Sequence, residues 1–458
     1  MKRLTLLAVA LTMVLGMAAS AFAAPEVTVS GNILINAVWR SNWDFNDGDA
    51  PAGADDDAFT IQERLDLGFT AVANENLKAV IVFRSVRGNL GQGDLADGAG
   101  GAAGGGGGTV ILGLNQGYID FNWPGTSVNI KAGFQPVALP ASVGGGSLIQ
   151  DDIASGVLVS TAFNDNVSML AGWVRFFDTP DAAANDIDEA QIDGLILALP
   201  LSYEGFAATP FLVYAAPGQN ALQSAPAGLA AFGTVGTDEF EGAWWLGSNL
   251  ELSMLDPFII KADLNYGAVN ADNDRSERDG WLFDAAVEYT GFDFMNLELA
   301  FAYTTGEDDD ATDGSERLPI LSDSWALGTT FFGAGLITGD DMGDNDNVGF
   351  WALALSATGI QSFAEGLTHD AHIVYAQGTN DEDAAAAPAG LTYGRSLTEN
   401  ETMLEIDFNT FYKIYDELTL YNGIGYVNID GDDDGIVRAA DEDGGDAWKF
   451  QLGLKYVF

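Results

Sequence analysis

The chain has 458 residues, 67 of them acidic and 18 basic, giving a formal net charge of −49, with 47% hydrophobic residues, two histidines and no cysteine. So few basic residues argue against a nucleic-acid partner, because phosphate binding needs basic patches, and without cysteine there is neither a disulfide nor thiol chemistry. Apolar and acidic residues in such amounts must be segregated along the chain.

Residues 1–23 carry Lys2 and Arg3, an apolar run from Leu4 to Leu15, and Ala21-Phe22-Ala23. That order predicts a secretory signal peptide cleaved before Ala24, leaving residues 24–458 as the mature domain. No later stretch reaches the roughly 18 uninterrupted apolar residues of a membrane-spanning helix. If the mature chain enters a membrane, it does so as strands.

The first mature segment places Val29, Ile33, Ile35 and Trp39 on one face of a strand, and Asn32, Asn36, Arg40 and Asn42 on the other. In the next, Ile61, Leu65, Leu67 and Phe69 oppose Gln62, Arg64, Asp66 and Thr70. After a tight turn at Asn74–Asn76 comes a third strand, with Ile81 and Phe83 opposite Arg84. The Gly-rich 98–108 lacks the Gly-Lys-Ser/Thr of a phosphate loop and reads as a flexible connection. A fourth strand and the turn Pro124-Gly125-Thr126 lead to a fifth, where Val128, Ile130, Ala132 and Phe134 oppose Asn129, Lys131 and Gln135.

Long acidic connections (44–57, 88–108, 136–155, 178–190, 216–241) alternate with short turns near 75, 125, 165, 204, 255 and 292. Transmembrane barrels show this asymmetry, with short periplasmic turns and long outer loops. The fold class is therefore all-β, a transmembrane antiparallel β-barrel. With both ends expected on the periplasmic side, the strand count is even. Taking 306–347 as one long outer loop with local structure gives 18 strands; merging one further weak hairpin gives 16. Pro210 is a weak point, because a closed barrel has no edge to absorb a lost donor.

The last segment, KFQLGLKYVF, places Phe450, Leu452, Leu454, Tyr456 and Phe458 on one face. This row suits lipid, with aromatics at the interface. The signal peptide, the immediate first strand, "GFQP" before the third long loop and the terminal "LKYVF" together resemble a Gram-negative general porin. "RSNWDF", "LITGDDM" and "IVYAQGTND" resemble most the homotrimeric outer-membrane porins of sulfate-reducing bacteria.

The resemblance implies a cell outer-membrane porin passing small hydrophilic solutes and ions by passive diffusion. It also implies a homotrimer, contact with outer-membrane lipid and lipopolysaccharide, and a terminal row (Phe450, Leu452, Leu454, Tyr456, Phe458) read by the outer-membrane assembly machinery. The third long loop, 136–155, would fold into the lumen, with Asp151 and Asp152 facing a basic ladder of Arg40, Arg64, Arg84 and Lys131. All four bases lie on polar strand faces. A charge of this kind facing lipid at the midplane costs about 2–4 kcal/mol, which favours the lumen. The other reading of these bases is simple pairing with lumen acids such as Asp66. The family's Pro-Glu-Phe-type loop stretch is absent here, replaced by Gly144-Gly145-Gly146.

Asp430, Asp432, Asp434 and Asp441 have the spacing of a calcium loop. The twelfth position is Asp rather than Glu, so a solvated acidic hairpin is the alternative. No cofactor is expected beyond calcium at the acidic outer loops. His369 and His372 fall on opposite strand faces and cannot chelate one metal. An esterase would have to use one of these two histidines, so no enzyme activity is expected. The alternatives to a general porin are a substrate-specific channel and a non-conducting structural or adhesive barrel. Lumen aromatics would favour a sugar channel, but Trp39, Phe69, Phe83 and Phe134 are expected to face lipid.

Overall fold

The computed structural model describes residues 25–42, 57–85, 88–89, 112–178, 191–218, 229, 240–310, 312–332, 348–382, 397–431 and 444–458. The strands are β1 (Glu26–Ser41), β2 (Asp57–Asn74), β3 (Leu77–Ser85, resuming at Gly88–Asn89), β4 (Leu112–Asn122), β5 (Asn129–Ala138) and β6 (Asp151–Ala162). They continue as β7 (Ser168–Phe177), β8 (Ile192–Ala198, resuming at Leu201–Tyr203), β9 (Phe206–Pro217), β10 (Phe240–Leu255), β11 (Phe258–Ala271) and β12 (Arg278–Tyr289). The last six are β13 (Asn296–Thr304), β14 (Phe350–Gln361), β15 (Leu367–Gly378), β16 (Thr402–Tyr415), β17 (Leu418–Asp430) and β18 (Gly444–Val457). Each strand pairs antiparallel with its neighbour in sequence, and β1 pairs with β18 from Asn32↔Val457 to Ser41↔Trp448. The result is a closed barrel of 18 strands, the larger of the two expected counts. Closure leaves no free sheet edge.

The alternation that makes these strands is inverted relative to a soluble protein. On β16, Glu405, Asp407 and Asn409 point inward and are buried, while Ile406 and Phe408 point outward and are exposed. An exposed apolar belt of this extent on a water-soluble monomer would far exceed the usual few hundred Å². Lipid is the solvent that tolerates it. Aromatics cluster at both margins of the belt. At the long-loop end Trp244, Tyr266 and Trp281 follow one another at 5.1 and 4.5 Å, and Tyr426 meets Trp448 at 4.7 Å. At the short-turn end Tyr289 meets Phe258 and Phe292 at 5.1 and 5.0 Å. Among the described residues no helix is long and apolar enough to cross a membrane.

Two expected features take their place in this frame. The terminal row faces outward, from Phe450 (39% exposed) to Phe458 (40%). Phe458 also completes the seam, exchanging backbone hydrogen bonds with Gly31 (2.9 and 3.0 Å). A Cβ at Gly31 would run into the Asp66 carbonyl and lie 2.9 Å from the Phe458 ring, so only glycine lets the strands close there. Pro210 sits where β8 is interrupted at Leu199 and Pro200, and one bond remains at that point, from Leu199 N–H to the Pro210 carbonyl (3.0 Å). The lost donor coincides with a break already present in the neighbouring strand.

Candidate functional site

Among the described residues, two long stretches of connection turn into the barrel. The first is 139–150, shorter than the expected 136–155 because β5 runs to Ala138 and β6 starts at Asp151. The second joins β13 to β14. It contributes no barrel strand, as expected of 306–347, but its described part is not an outer loop. Leu318, Ile320, Leu321, Trp325, Phe331 and Phe332 are buried inside the barrel with Val143, Leu148 and Ile149 of the first connection. The reason is hydrophobic, since burying one such side chain contributes about 1.5–3 kcal/mol. Trp325, Phe332 and the inward-facing Phe350 stack with centroids 4.7–6.2 Å apart.

The two connections also bond to each other. Leu321 and Ser322 N–H donate to the Ile149 carbonyl (2.9 and 3.1 Å), Ser324 N–H to Ser147 (3.1 Å) and Ala326 N–H to Gly144 (2.9 Å). Gly144 has φ +71°, and a Cβ there would lie 2.4 Å from the Trp325 indole. Gly144 is what lets the tryptophan lie against the loop.

Wall carboxylates hold this plug by its backbone. Asp263 on β11 accepts from Ser142 and Val143 N–H (2.9 Å each), and Asp284 on β12 accepts from Trp325 Nε1 (3.0 Å). Glu405 on β16 accepts four backbone N–H groups, from Thr329 (3.1 Å), Thr330 (3.0 Å), Phe331 (3.1 Å) and Phe332 (2.6 Å). Asp407 takes Thr329 N–H (2.7 Å) and Oγ1 (2.9 Å). Buried carboxylates left unbonded would be costly, and the plug's unpaired amides satisfy them. Above the barrel wall, Glu307 accepts from Ser315 Oγ (2.7 Å). Burial pushes its carboxyl up to about 7, opposed by the Ser315 bond and by Arg317 and Arg278.

The expected site residues divide into separate groups. Arg84 grips Asp66 with Nε (2.7 Å) and Nη2 (3.3 Å), Arg64 Nε lies 3.7 Å from the same carboxylate, and Asn32 donates to it at 3.2 Å. Arg40 shares this inward face of β1 and stands directly opposite Lys449 of β18, a buried lysine missing from the sequence reading. Lys131 does not join them. Its Nζ lies over the Tyr118 ring at 5.4 Å, opposite Asp120, which pairs with Lys78 at 3.2 Å. Lys78 in turn pairs in register with Val72, well along β2 from Asp66.

Asp151 N–H donates to the Ser322 carbonyl (2.7 Å) and Asp152 accepts from Ser322 Oγ (3.1 Å), so both acids sit at the junction of the two inner connections. Among the described residues neither is in an ion pair. Further inward-facing acids lie on two stretches of wall: Asp263, Asp284, Glu288 and Glu298 on β11–β13, across the barrel from β1–β3, and Glu405 and Asp407 on β16, one strand removed from β18. The bases Arg40, Arg64, Arg84 and Lys449 occupy the arc from β18 through β3. The two-residue alternation of β12, β13 and β16 marks their acids as inward-facing.

His372 faces the lumen, bonded to Ser356 Oγ (2.8 Å), while His369 faces outward, bonded to Thr410 (2.9 Å) and stacked on Phe408. The two face opposite ways, as their spacing requires. Asp430 is exposed at the end of β17; Asp432, Asp434 and Asp441, like residues 1–23, lie outside the described residues. Asp308, Asp313 and Glu316 form a separate carboxylate group with oxygens within 4.8 Å of one another.

Among solved structures the chain matches Pseudomonas aeruginosa OccK8 (OprE) over 94% of its length and 98% of that chain, at 11% identity and a TM-score of 0.53. It matches Acinetobacter baumannii OccAB4 over 95% and 98%, at 10% identity and a TM-score of 0.54. Pseudomonas aeruginosa OprD matches over 94% and 95%, at 13% identity and a TM-score of 0.51. At such identities the likeness is one of fold. No family model matches the chain, and no curated protein matches it in sequence.

Proposed function

We propose that this protein is an outer-membrane porin of a Gram-negative bacterium, admitting small hydrophilic solutes and ions by passive diffusion. The observation that carries the proposal is a closed 18-strand barrel with an apolar exterior and a charged, partly plugged interior. Among the described residues the plug packs against β10–β16, and its tip reaches β17 and β18, where Thr329 and Thr330 lie with Gly425, Lys449 and Gln451; we place transit on the wall of β1–β3, beside Arg40, Arg64 and Arg84. Arg40, Arg64 and Arg84 on β1–β3, across the barrel from Glu288 and Glu298 on β12 and β13, make a transverse field that orients polar solutes and disfavours apolar ones, reduced on the acidic side by Lys261 and Arg278. Asp66 tempers that field, because it already pairs with Arg84 and Arg64.

The same reading takes the outward row ending at Phe458 as an assembly signal, the protein as a homotrimer in contact with lipopolysaccharide, and its outer acids as calcium sites. No catalytic role is assigned. The kinship with porins of sulfate-reducing bacteria rests on three short segments of sequence. Planar-bilayer recording tests the central claim, with reversal potentials measured in a salt gradient. Stable ohmic steps are expected, and a barrel that inserts without conducting would leave the structural or adhesive alternative.

A further inference from the structure

Beneath the plug is a cavity of about 410 Å³, within the range of roughly 300–1,000 Å³ typical of small-molecule sites. Its wall is a cross-strand row. Glu288 of β12 is directly opposite Glu298 of β13, Glu298 opposite Ser356 of β14, and Ser356 opposite His372 of β15. Two carboxylates facing each other across a strand pair are destabilising by themselves. Lys261 of β11 sits between them, with Nζ 2.9 Å from each. One ammonium serving two carboxylates leaves the group one negative charge in excess, with a carboxylate oxygen on each glutamate still able to accept. The next row of the same wall, Ala300 paired with Ala354, is apolar, and Leu327 of the plug adds to it.

We infer that this cavity is a transit-binding subsite for small organic cations, a primary ammonium group on a short apolar stem. The ammonium would enter the Glu288–Glu298 pair as a second counter-charge, and the stem would lie against the alanines and Leu327. A neutral alcohol gains no ion pair there, and a carboxylate meets net negative charge. The inference rests on the channel reading, because a solute reaches the cavity only through the lumen.

The test uses butylammonium, with 1-butanol and butyrate as controls, on the full mature chain. Butylammonium should interrupt single-channel current in a concentration-dependent way, and neither control should. Glu298→Gln, which keeps the Lys261–Glu288 pair, should weaken the block roughly tenfold, the loss of one charged bond. Glu288→Gln should do the same, so the test survives if one variant fails to fold. Calorimetric titration of the detergent-solubilised protein reads the same site without a current. Block or binding unchanged in both glutamine variants would overturn the inference, as would no butylammonium binding to the native protein. Binding that depends on Glu298 in a barrel that does not conduct would keep the subsite and refute the channel.

Discussion

Replacing Glu405 by Gln tests whether the plug is held by its wall carboxylates. In the native protein the two carboxylate oxygens accept four backbone N–H groups of residues 329–332. Glutamine keeps one acceptor oxygen and turns an N–H₂ toward the other amides, so two of the four bonds are lost. A hydrogen bond to a charged group contributes about 1.5–3 kcal/mol, which makes the loss about 3–6 kcal/mol against docking of the loop tip. Opposing release is the burial of Phe331 and Phe332, both essentially inaccessible, at about 1.5–3 kcal/mol each. The two quantities are of the same size. The tip should therefore alternate between docked and released states rather than leave altogether. The expected reading is a flickering single-channel current with excursions to higher conductance. Glu405→Gln combined with Phe331→Ala should shift the balance to a steadily larger conductance. If both variants keep the native conductance and noise, the carboxylate clamp does not set the position of the plug.

Replacing Arg40, Arg64 and Arg84 together by Gln leaves Asp66 without its guanidinium partners; cation preference from reversal potentials should rise, more at low salt than at high, because exposed charges are screened beyond about 10 Å at 0.1 M. Phe458→Asp should lower the amount of folded barrel far more than the amount synthesised, measured by heat-modifiable migration on gels; normal folded levels would remove both the seam and the address roles. Glu307 binds its proton more tightly in the folded state (about 7) than unfolded (4.5), so its own contribution to stability is greatest in acid, falls by about 3 kcal/mol as pH rises from 4.5 to 7, and levels off above. Thermal melting against pH should show a shallower fall over that window in Glu307→Gln than in the native protein.

The barrel was legible because its signal is local. A two-residue period can be read strand by strand, and the shared periplasmic side of the two ends then fixes parity, which correctly removed 323–337 from the strand count. The same segment shows where local reading stops. Its apolar residues were assigned to an outer loop, yet a loop bathed in water has no use for Leu318, Ile320, Leu321, Trp325, Phe331 and Phe332 so close together. That density was the available sign that the connection seeks an interior. The partners of Asp151 and Asp152 are illegible in the sequence for a different reason. Their proximity in sequence to an inward loop said that they lie near the lumen, but the partner that claims them, Ser322, is 170 residues from Asp152.

Acids such as Asp263 and Glu405 pose the same problem from the wall side. Alternation shows that they point inward, and it reads identically whether they meet water or four amides. The consequence for function is directional. Carboxylates bonded to plug amides have much of their field taken up locally, whereas Arg40, Arg64 and Arg84 stand on β1–β3, apart from the strands whose carboxylates bond the plug. Charge counted along the chain therefore overstates how acidic the path is. A channel with a formal net charge of −49 should on these grounds discriminate only weakly between small cations and anions, until a cation reaches the Glu288–Glu298 pair beneath the plug.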